Sequence, residues 1–262
     1  MRPVPDTAAV ARSFAGARTH YDLHASFHTR LAGHLAEATR AAGTEFGHVL
    51  EIGSHTGLQT RAMSPWLRPQ GLWVLSDIHA LGFGTADRRA TTAGPCRLVM
   101  DGQRPALRER TFDLIYSGAC FQWFSEPMAS VRQLLGLLRP GGQLAFSIFT
   151  APSLEPLRQA FEDSGEGDRF LPLLSTDRLR HDLEAMTSGQ LGHFEVVHDR
   201  QVYDDWSAAF DVLRHIGAAL SAFRSRPLPS RVWREIRLRL ENERSEEGCP
   251  LKMSAAIALL RR

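Results

Sequence analysis

Three acids stand where a sheet of parallel strands would meet a ligand. Glu51 lies in "VLEIGSHTG" (49–57), Asp77 closes "LWVLSD" (72–77), and Asp101 closes "RLVMD" (97–101). The first apolar run leads into a loop, Gly53 to Gly57, where backbone can approach a ligand. The helix after such a loop offers free N–H groups. An acid ending a second strand can accept hydrogen bonds from both hydroxyls of a ribose. An acid after a third strand can take the amino group of an adenine. In this order the acids describe an adenosine-shaped site. Its candidate binding residues are Glu51, Gly53, Ser54, His55, Gly57, Asp77, Ile78, Asp101, Gly102 and Ser117. A dinucleotide fits poorly. The fingerprint G-x-G-x-x-G fails, with His55 at the middle glycine, Leu58 and Thr60.

The elements that must hold these residues alternate along the chain. "HVLEI" (48–52), "LWVLSD" (72–77), "RLVMD" (97–101), "TFDLIYS" (111–117) and "QLAFSIF" (143–149) read as short buried strands. Helices are predicted at 58–67, stopped near Pro65, and at 127–138, closed by "RPGG" (139–142). Strands separated by helices imply a mainly parallel sheet covered on both faces. After Thr150 helices are predicted at 153–164, 176–187, 206–222 and 229–244, with strands at 193–203 and 253–260. The expected fold is α/β and Rossmann-like, with a mainly parallel seven-stranded sheet. Residues 1–45 are expected to be a helical lid. Residues 46–262 are the sheet domain, with helical insertions at about 151–190 and 204–248 that supply further lid elements. Phe14, Arg18, Tyr21, Ala25 and His28 recur at helical spacing and are placed on one helix face.

Composition narrows the classes. The chain has 262 residues, 43% hydrophobic and 23% charged, as in a globular protein. No run approaches the roughly 20 apolar residues of a membrane span. The first residues lack the apolar core of a signal peptide, so a cytoplasmic location and a monomer are the default expectations. Cys96, Cys120 and Cys249 are scattered, which disfavours a zinc site or disulfide framework. A net charge of +2 gives no case for nucleic acid. His20, His24 and His28 have a spacing that can bind a metal, but no carboxylate or cysteine completes the set. No metal is expected.

"VLEIGSHTG", "TFDLIYSGACFQWF" and "LRPGGQLAFSIF" resemble class I S-adenosylmethionine-dependent methyltransferases. More narrowly, "SFAGARTHYDLHASFH" (13–28), "ACFQWF" (119–124), "HIGAA" (215–219) and "GCPL" (248–251) resemble the malonyl-[acyl-carrier-protein] O-methyltransferases of biotin synthesis. The resemblance implies S-adenosyl-L-methionine as cofactor and a malonyl thioester on acyl-carrier protein as substrate. It implies that Gly53 and Gly57 shape the methionine-side loop, Asp77 binds the ribose and Asp101 faces the adenine. Tyr21 would belong to a lid over the sulfonium. Gln122 and Trp123 would line the acceptor pocket. Three positions depart from the pattern. His55 replaces a glycine, Gly118 stands where asparagine is common, and "PLKMS" (250–254) replaces "PLTYH". His55 is expected to point away from the methionine moiety or to cap its carboxylate. On that basis His55→Gly should leave affinity equal or better.

A malonyl carboxylate is already ionised at neutral pH, so its methylation needs no general base. It does need a cationic partner, preferably a bidentate arginine. Arg18, Arg132, Arg139 and Arg214 are the candidates, with Arg18 and Arg214 preferred because they lie in the expected lids. From Asp211 onward there are eleven basic and six acidic residues. Arg224, Arg226, Arg231, Arg234, Arg237 and Arg239 are concentrated there and suit a small acidic carrier protein. The departures leave two other readings. One is a class I methyltransferase acting on another small acid or a protein. The other is a scaffold that kept the fold without catalysis.

Overall fold

The computed structural model describes residues 6–80, 94–188, 191–216 and 227–262. Five strands run parallel: β1 (Val49–Ile52), β2 (Trp73–Asp77), β3 (Cys96–Val99), β4 (Phe112–Ser117) and β5 (Leu138–Phe149). β7 (Cys249–Arg261) lies antiparallel between β5 and the edge strand β6 (His193–Tyr203). The sheet order is β3-β2-β1-β4-β5-β7-β6. Every residue of β1 and β2 is buried, as covered strands require, whereas the edge strand β3 is mostly exposed. From β1 the chain builds outward to β3, then returns to the other side of β1 as β4. The crevice of this topological switch opens beyond the carboxyl ends of β1 and β4.

Helices cover both faces. Phe27, Leu31 and Leu35, four residues apart on α3 (Ser26–Ala42), pack on one face beside Met63 of α4 (Leu58–Met63). On the other face, α5 (Pro127–Leu137) contributes Val131 and Leu134, and α7 (Thr176–Met186) contributes Leu179 and Leu183. Each such side chain contributes about 1.5–3 kcal/mol by leaving water. A third cluster sits above the crevice. It joins Leu157 and Phe161 of α6 (Leu157–Asp163) to Phe210 and Leu213 of α8 (Trp206–His215). Ile236 and Leu240 of α9 (Ser230–Asn242) complete it, together with Tyr21.

The N-terminal segment differs from the expected single helix. It forms α1 (Thr7–Ala17), α2 (Tyr21–His24) and α3, broken at residues 18–20 and at Ala25. One straight helix would spread Phe14 to His28 over about 21 Å. The breaks instead fold them together, with ring centroids 6.3 Å apart for Phe14–Tyr21 and 5.6 Å for Tyr21–His28. The three spaced histidines are separated for the same reason. His20 and His24 pack on His215, at 5.6 and 4.5 Å, while His28 packs beside Phe149 at 5.1 Å. The "RPGG" segment does not end α5. It lies inside β5, where Gly141 takes a left-handed φ of 80°. The last strand is longer than expected and takes in "PLKMS", because β6 pairs with it from Cys249 onward. Residues 217–222 of the expected helix lie outside the described residues.

Candidate functional site

The loop after β1 is built from left-handed residues: Gly53 (φ 72°), His55 (φ 43°) and Gly57 (φ 81°). Gly53 is obligatory on two counts. Its φ disfavours a side chain, and a Cβ there would lie 2.6 Å from Cys120 Sγ. The N–H groups of Gly53 and Ser54 both donate to Ser76 O of β2, and His55 N–H donates to Asp77 Oδ2 at 2.9 Å. His79 N–H donates to Asp77 Oδ1 at 3.1 Å, so two backbone amides fix the carboxylate at the strand end. Gly57 then caps α4.

Above this loop lies a cavity lined by Gly53, His55, Asp77, Ile78, Asp101 and Gly102, among others. A Cβ on Gly102 would stand 2.5 Å from Ile52 Cγ2, so only glycine lets the Asp101 turn approach β1. Ser54 lines a small recess beside it with His55, Gln59 and Gly118. In that recess Ser54 Oγ and Gln59 Oε1 are buried without a hydrogen-bond partner. Gly118 has a local cause, since a Cβ there would meet Gln59 Oε1 at 2.8 Å. The glutamine occupies the space an asparagine at 118 would need.

Three expected ligand residues line neither this cavity nor the recess beside it. Glu51 is fully buried behind the loop, where its Oε2 accepts from Thr60 Oγ1 (2.6 Å) and Tyr116 Oη (2.7 Å). Ser117 is also buried, its hydroxyl donating to Ile52 O. Gly57 shapes the turn without facing the cavity. Glu51 stands one residue before the end of β1, where strand alternation turns its side chain into the packed layer. Burial pushes the Glu51 carboxyl up to about 7, against its two hydrogen bonds.

A second cavity joins the first, and Phe14, Tyr21, Ala119 and Trp123 line both. Its wall also includes His28, Gln122, Phe149, Ser153, Arg158 and Met253. Gln122 Nε2 donates to Ala119 O at 2.6 Å, leaving Oε1 buried without a partner. Burial raises the Tyr21 hydroxyl above its usual range and lowers His28 to about 4. Burial also raises Cys120 to about 12. All three are therefore neutral at neutral pH, and Cys120 is a thiol rather than a nucleophile.

His55 links the loop after β1 to the N-terminal segment. Its ring turns toward the N-terminal helices, with Nε2 3.1 Å from Phe14 O and its centroid 4.5 Å from that of Tyr21. A second tie runs through Asp22, which accepts from Thr56 Oγ1 at 2.6 Å and pairs with Arg61 at 2.5 Å. The loop after β1 thus holds α1 and α2 over both cavities.

The expected arginines are elsewhere. Arg18 and Arg132 are exposed and off the walls of both cavities. Arg214 is exposed and paired with Asp211. Arg139 pairs with Asp113 at 3.0 Å near Gly47 and His48, at the amino end of β1 and so opposite the crevice. Sequence reasoning missed Arg158, which is 7% exposed and lines the second cavity. The available signal was its place between Leu157 and Phe161 on the apolar face of α6, lost among so many arginines. The "PLKMS" segment contributes Met253 to the same cavity, while Lys252 faces solvent.

Comparison with known proteins places this geometry. A family model described as "Methyltransferase domain" matches residues 50–146. The malonyl-[acyl-carrier protein] O-methyltransferase of Enterobacter lignolyticus is 31% identical over 220 residues, covering 82% of this chain and 82% of that protein. The chain belongs to the malonyl-[acyl-carrier protein] O-methyltransferase family. It is a class I methyltransferase, and its cofactor is S-adenosylmethionine. The biotin biosynthesis bifunctional protein BioCD of Bordetella avium is 37% identical over 162 residues, 61% of this chain but only 34% of that protein. The Bacillus subtilis YcgJ protein shares the fold, with a TM-score of 0.54 and 16% identity over 86% of this chain and 96% of that one. So does the [4+2]-cyclase SpnF, with a TM-score of 0.52 and 17% identity over 89% and 80%. A fold shared with a cyclase does not decide the reaction, so the site must.

The first cavity fits the family's cofactor. It offers two acids at strand ends, a glycine loop that a Cβ would obstruct, and unpartnered Ser54 and Gln59 oxygens in the adjoining recess.

Proposed function

We propose that this methyltransferase converts the free carboxylate of a malonyl thioester, carried on an acyl-carrier protein, to its methyl ester. One observation carries the reading: two cavities, one with strand-end acids and one largely apolar, meet at Tyr21 and Trp123. The relatives named for this activity support it. In the first cavity Asp77 would hold the ribose hydroxyls and Asp101 the adenine amino group. Ser54 and Gln59 would meet the polar end of the methionine moiety. When bound, S-adenosylmethionine supplies an electrophilic methyl group on a sulfonium and leaves as a neutral thioether.

This chain's residues then have three tasks. Tyr21, Phe14 and Trp123 wall the junction with aromatic surface, which suits a sulfonium cation and excludes water. The apolar second cavity strips water from the incoming carboxylate, since a hydrated carboxylate is a poor nucleophile. Positioning the two reactants contributes roughly 7–11 kcal/mol of the barrier. No proton need be removed, in keeping with Tyr21, His28 and Cys120 all being neutral.

The helices α1 and α2 serve as a lid, latched by His55 and Asp22. The carrier docks on α9, where Arg231, Arg234 and Arg237 are exposed beside Leu238. Arg239 is paired with Glu235 and Asp163, and Arg224 and Arg226 lie outside the described residues. Growth without biotin, restored by this chain in a strain lacking the methyltransferase, tests the proposal in cells. Soluble protein that fails to restore growth would count against it. Among the described residues no helix is long and apolar enough to cross a membrane.

A further inference from the structure

We infer that His28 is a specificity-determining residue of the acceptor cavity: it meets the free carboxylate as an imidazolium formed while that anion binds, and it gives up the charge once the carboxylate has become an ester. The inference rests on the proposed reaction and names the side chain that recognises its substrate. Three other polar side chains on the cavity wall are already engaged. Ser153 Oγ donates to Ser254 O at 2.9 Å, and Gln122 Nε2 donates to Ala119 O. Arg158 is paired with Glu162 and donates to Leu171 O, so that pair brings no net charge to the wall. Tyr21, Trp123 and His28 remain. Among the described residues none of these three has a side-chain hydrogen bond or an ion pair. Of the three, only an imidazole can take on a positive charge near neutral pH.

The setting of His28 suits that task. It stands in the first turn of α3, where the helix dipole favours an anion and disfavours a lone cation. Its ring packs against Tyr21 of α2 and Phe149 of β5, with centroids 5.6 and 5.1 Å apart. Phe149 lines the acceptor cavity but neither the cofactor cavity nor its recess, which sets this ring toward the acceptor side. The titratable groups that face His28 are Tyr21, His55 of the loop after β1 and, on the wall of the same cavity, the Arg158–Glu162 pair. Asp22 and Asp77 act on His55 and are already bound, the first by Thr56 and Arg61, the second by two backbone amides. Among the described residues no carboxylate pairs with His28. Burial therefore holds the ring neutral, pushed down to about 4, before the substrate arrives.

An incoming carboxylate supplies the missing counter-charge. An opposite charge in contact favours the protonated ring, so His28 takes a proton from solvent as the anion enters. Leu154, Phe170, Leu171 and Leu213 line the same cavity and keep the local dielectric low, which strengthens the new ion pair. Methyl transfer then forms the O–CH3 bond, breaks the S–CH3 bond and turns the anion into a neutral ester. His28 has lost its counter-ion and returns the proton to solvent, so the proton balance of the overall reaction is unchanged. A buried cation facing an ester would be costly. The acid is thus held by an ion pair and the ester by none, and product leaves.

The test compares wild type with His28→Gln, which stays neutral at every pH used. Calorimetry with S-adenosylhomocysteine should give the same affinity for both. A weakened affinity in the variant assigns His28 to the methionine carboxylate, at the recess it also lines, and overturns the inference. Malonyl-carrier protein and its methyl ester are then each titrated into the S-adenosylhomocysteine-bound protein at pH 6, in two buffers of different ionisation enthalpy. The ester cancels any titration of the carrier itself. Wild type should take up more protons with the acid than with the ester. Its affinity for the acid should rise at least about threefold from pH 8 to pH 5.5, while its affinity for the ester stays flat. Both differences should vanish in His28→Gln, and the KM for malonyl-carrier protein should rise. Equal proton uptake for acid and ester in wild type, or an excess that survives in His28→Gln, overturns the inference. The wild-type comparison decides the matter even where His28→Gln does not fold. Esterification without the proton linkage overturns this inference alone. Failure of wild type to esterify malonyl-carrier protein overturns the proposed reaction and this inference with it.

Discussion

Glu51→Gln should remove a pH dependence of stability that the buried carboxyl creates. Glu51 is 0% exposed, and its carboxyl is pushed from 4.5 up to about 7, chiefly by burial. The folded state therefore holds this proton to higher pH than the unfolded chain does. Stability from the group is fully present below about pH 4.5 and is lost as pH rises through about 7. A shift of this size amounts to about 3 kcal/mol between the ends of that window. Between pH 5 and pH 8 the loss is about 2–3 kcal/mol by the same linkage. Glutamine keeps an oxygen for Thr60 and Tyr116 but cannot ionise. Its amide sits where Oε1 finds no partner, so a constant cost of about 1–3 kcal/mol is expected at every pH. The assay is urea unfolding of both proteins at pH 5, 6.5 and 8. The difference between them should shrink by about 2–3 kcal/mol from pH 5 to pH 8. A difference that stays constant across that range would refute the assignment of the buried proton to Glu51.

Three further outcomes are expected. Asp77→Asn should weaken S-adenosylmethionine binding at least tenfold by calorimetry, because an amide cannot accept from both the His55 and His79 N–H groups and from a ribose. His55→Gly relieves a left-handed backbone worth about 1–2 kcal/mol but cuts the contact to Phe14. Equilibrium stability should then move by less than about 1 kcal/mol, while stopped-flow release of S-adenosylhomocysteine becomes faster. An unchanged release rate would show that His55 latches nothing. Arg234→Glu with Arg237→Glu should raise the KM for malonyl-carrier protein and flatten its salt dependence, leaving malonyl-coenzyme A kinetics unchanged.

The sheet was legible because covered parallel strands read as apolar runs, and β1, β2 and β4 fall within a residue or two of their expected bounds. Strand ends also pointed to Asp77, Asp101 and the glycine loop, since ligands collect at the switch point whatever the side chains are. Less could be read where tertiary contact overrides local pattern. Residues 7–42 carry helical spacing throughout, yet the breaks at 18–20 and Ala25 let Phe14, Tyr21 and His28 meet around one cavity. Spacing also cannot show direction. Glu51 and Ser117 sit in the right motifs but turn into the packed layers. Arg158 escaped notice because a buried cation on an apolar helix face looks, in sequence, like any other arginine.

The most direct test of the methyltransferase reading is the intact mass of malonyl-carrier protein after incubation with this protein and S-adenosylmethionine. The expected product has gained one methyl group, and mild alkali removes it as from an ester. An unchanged mass, with S-adenosylmethionine bound one to one, would contradict the proposed acceptor.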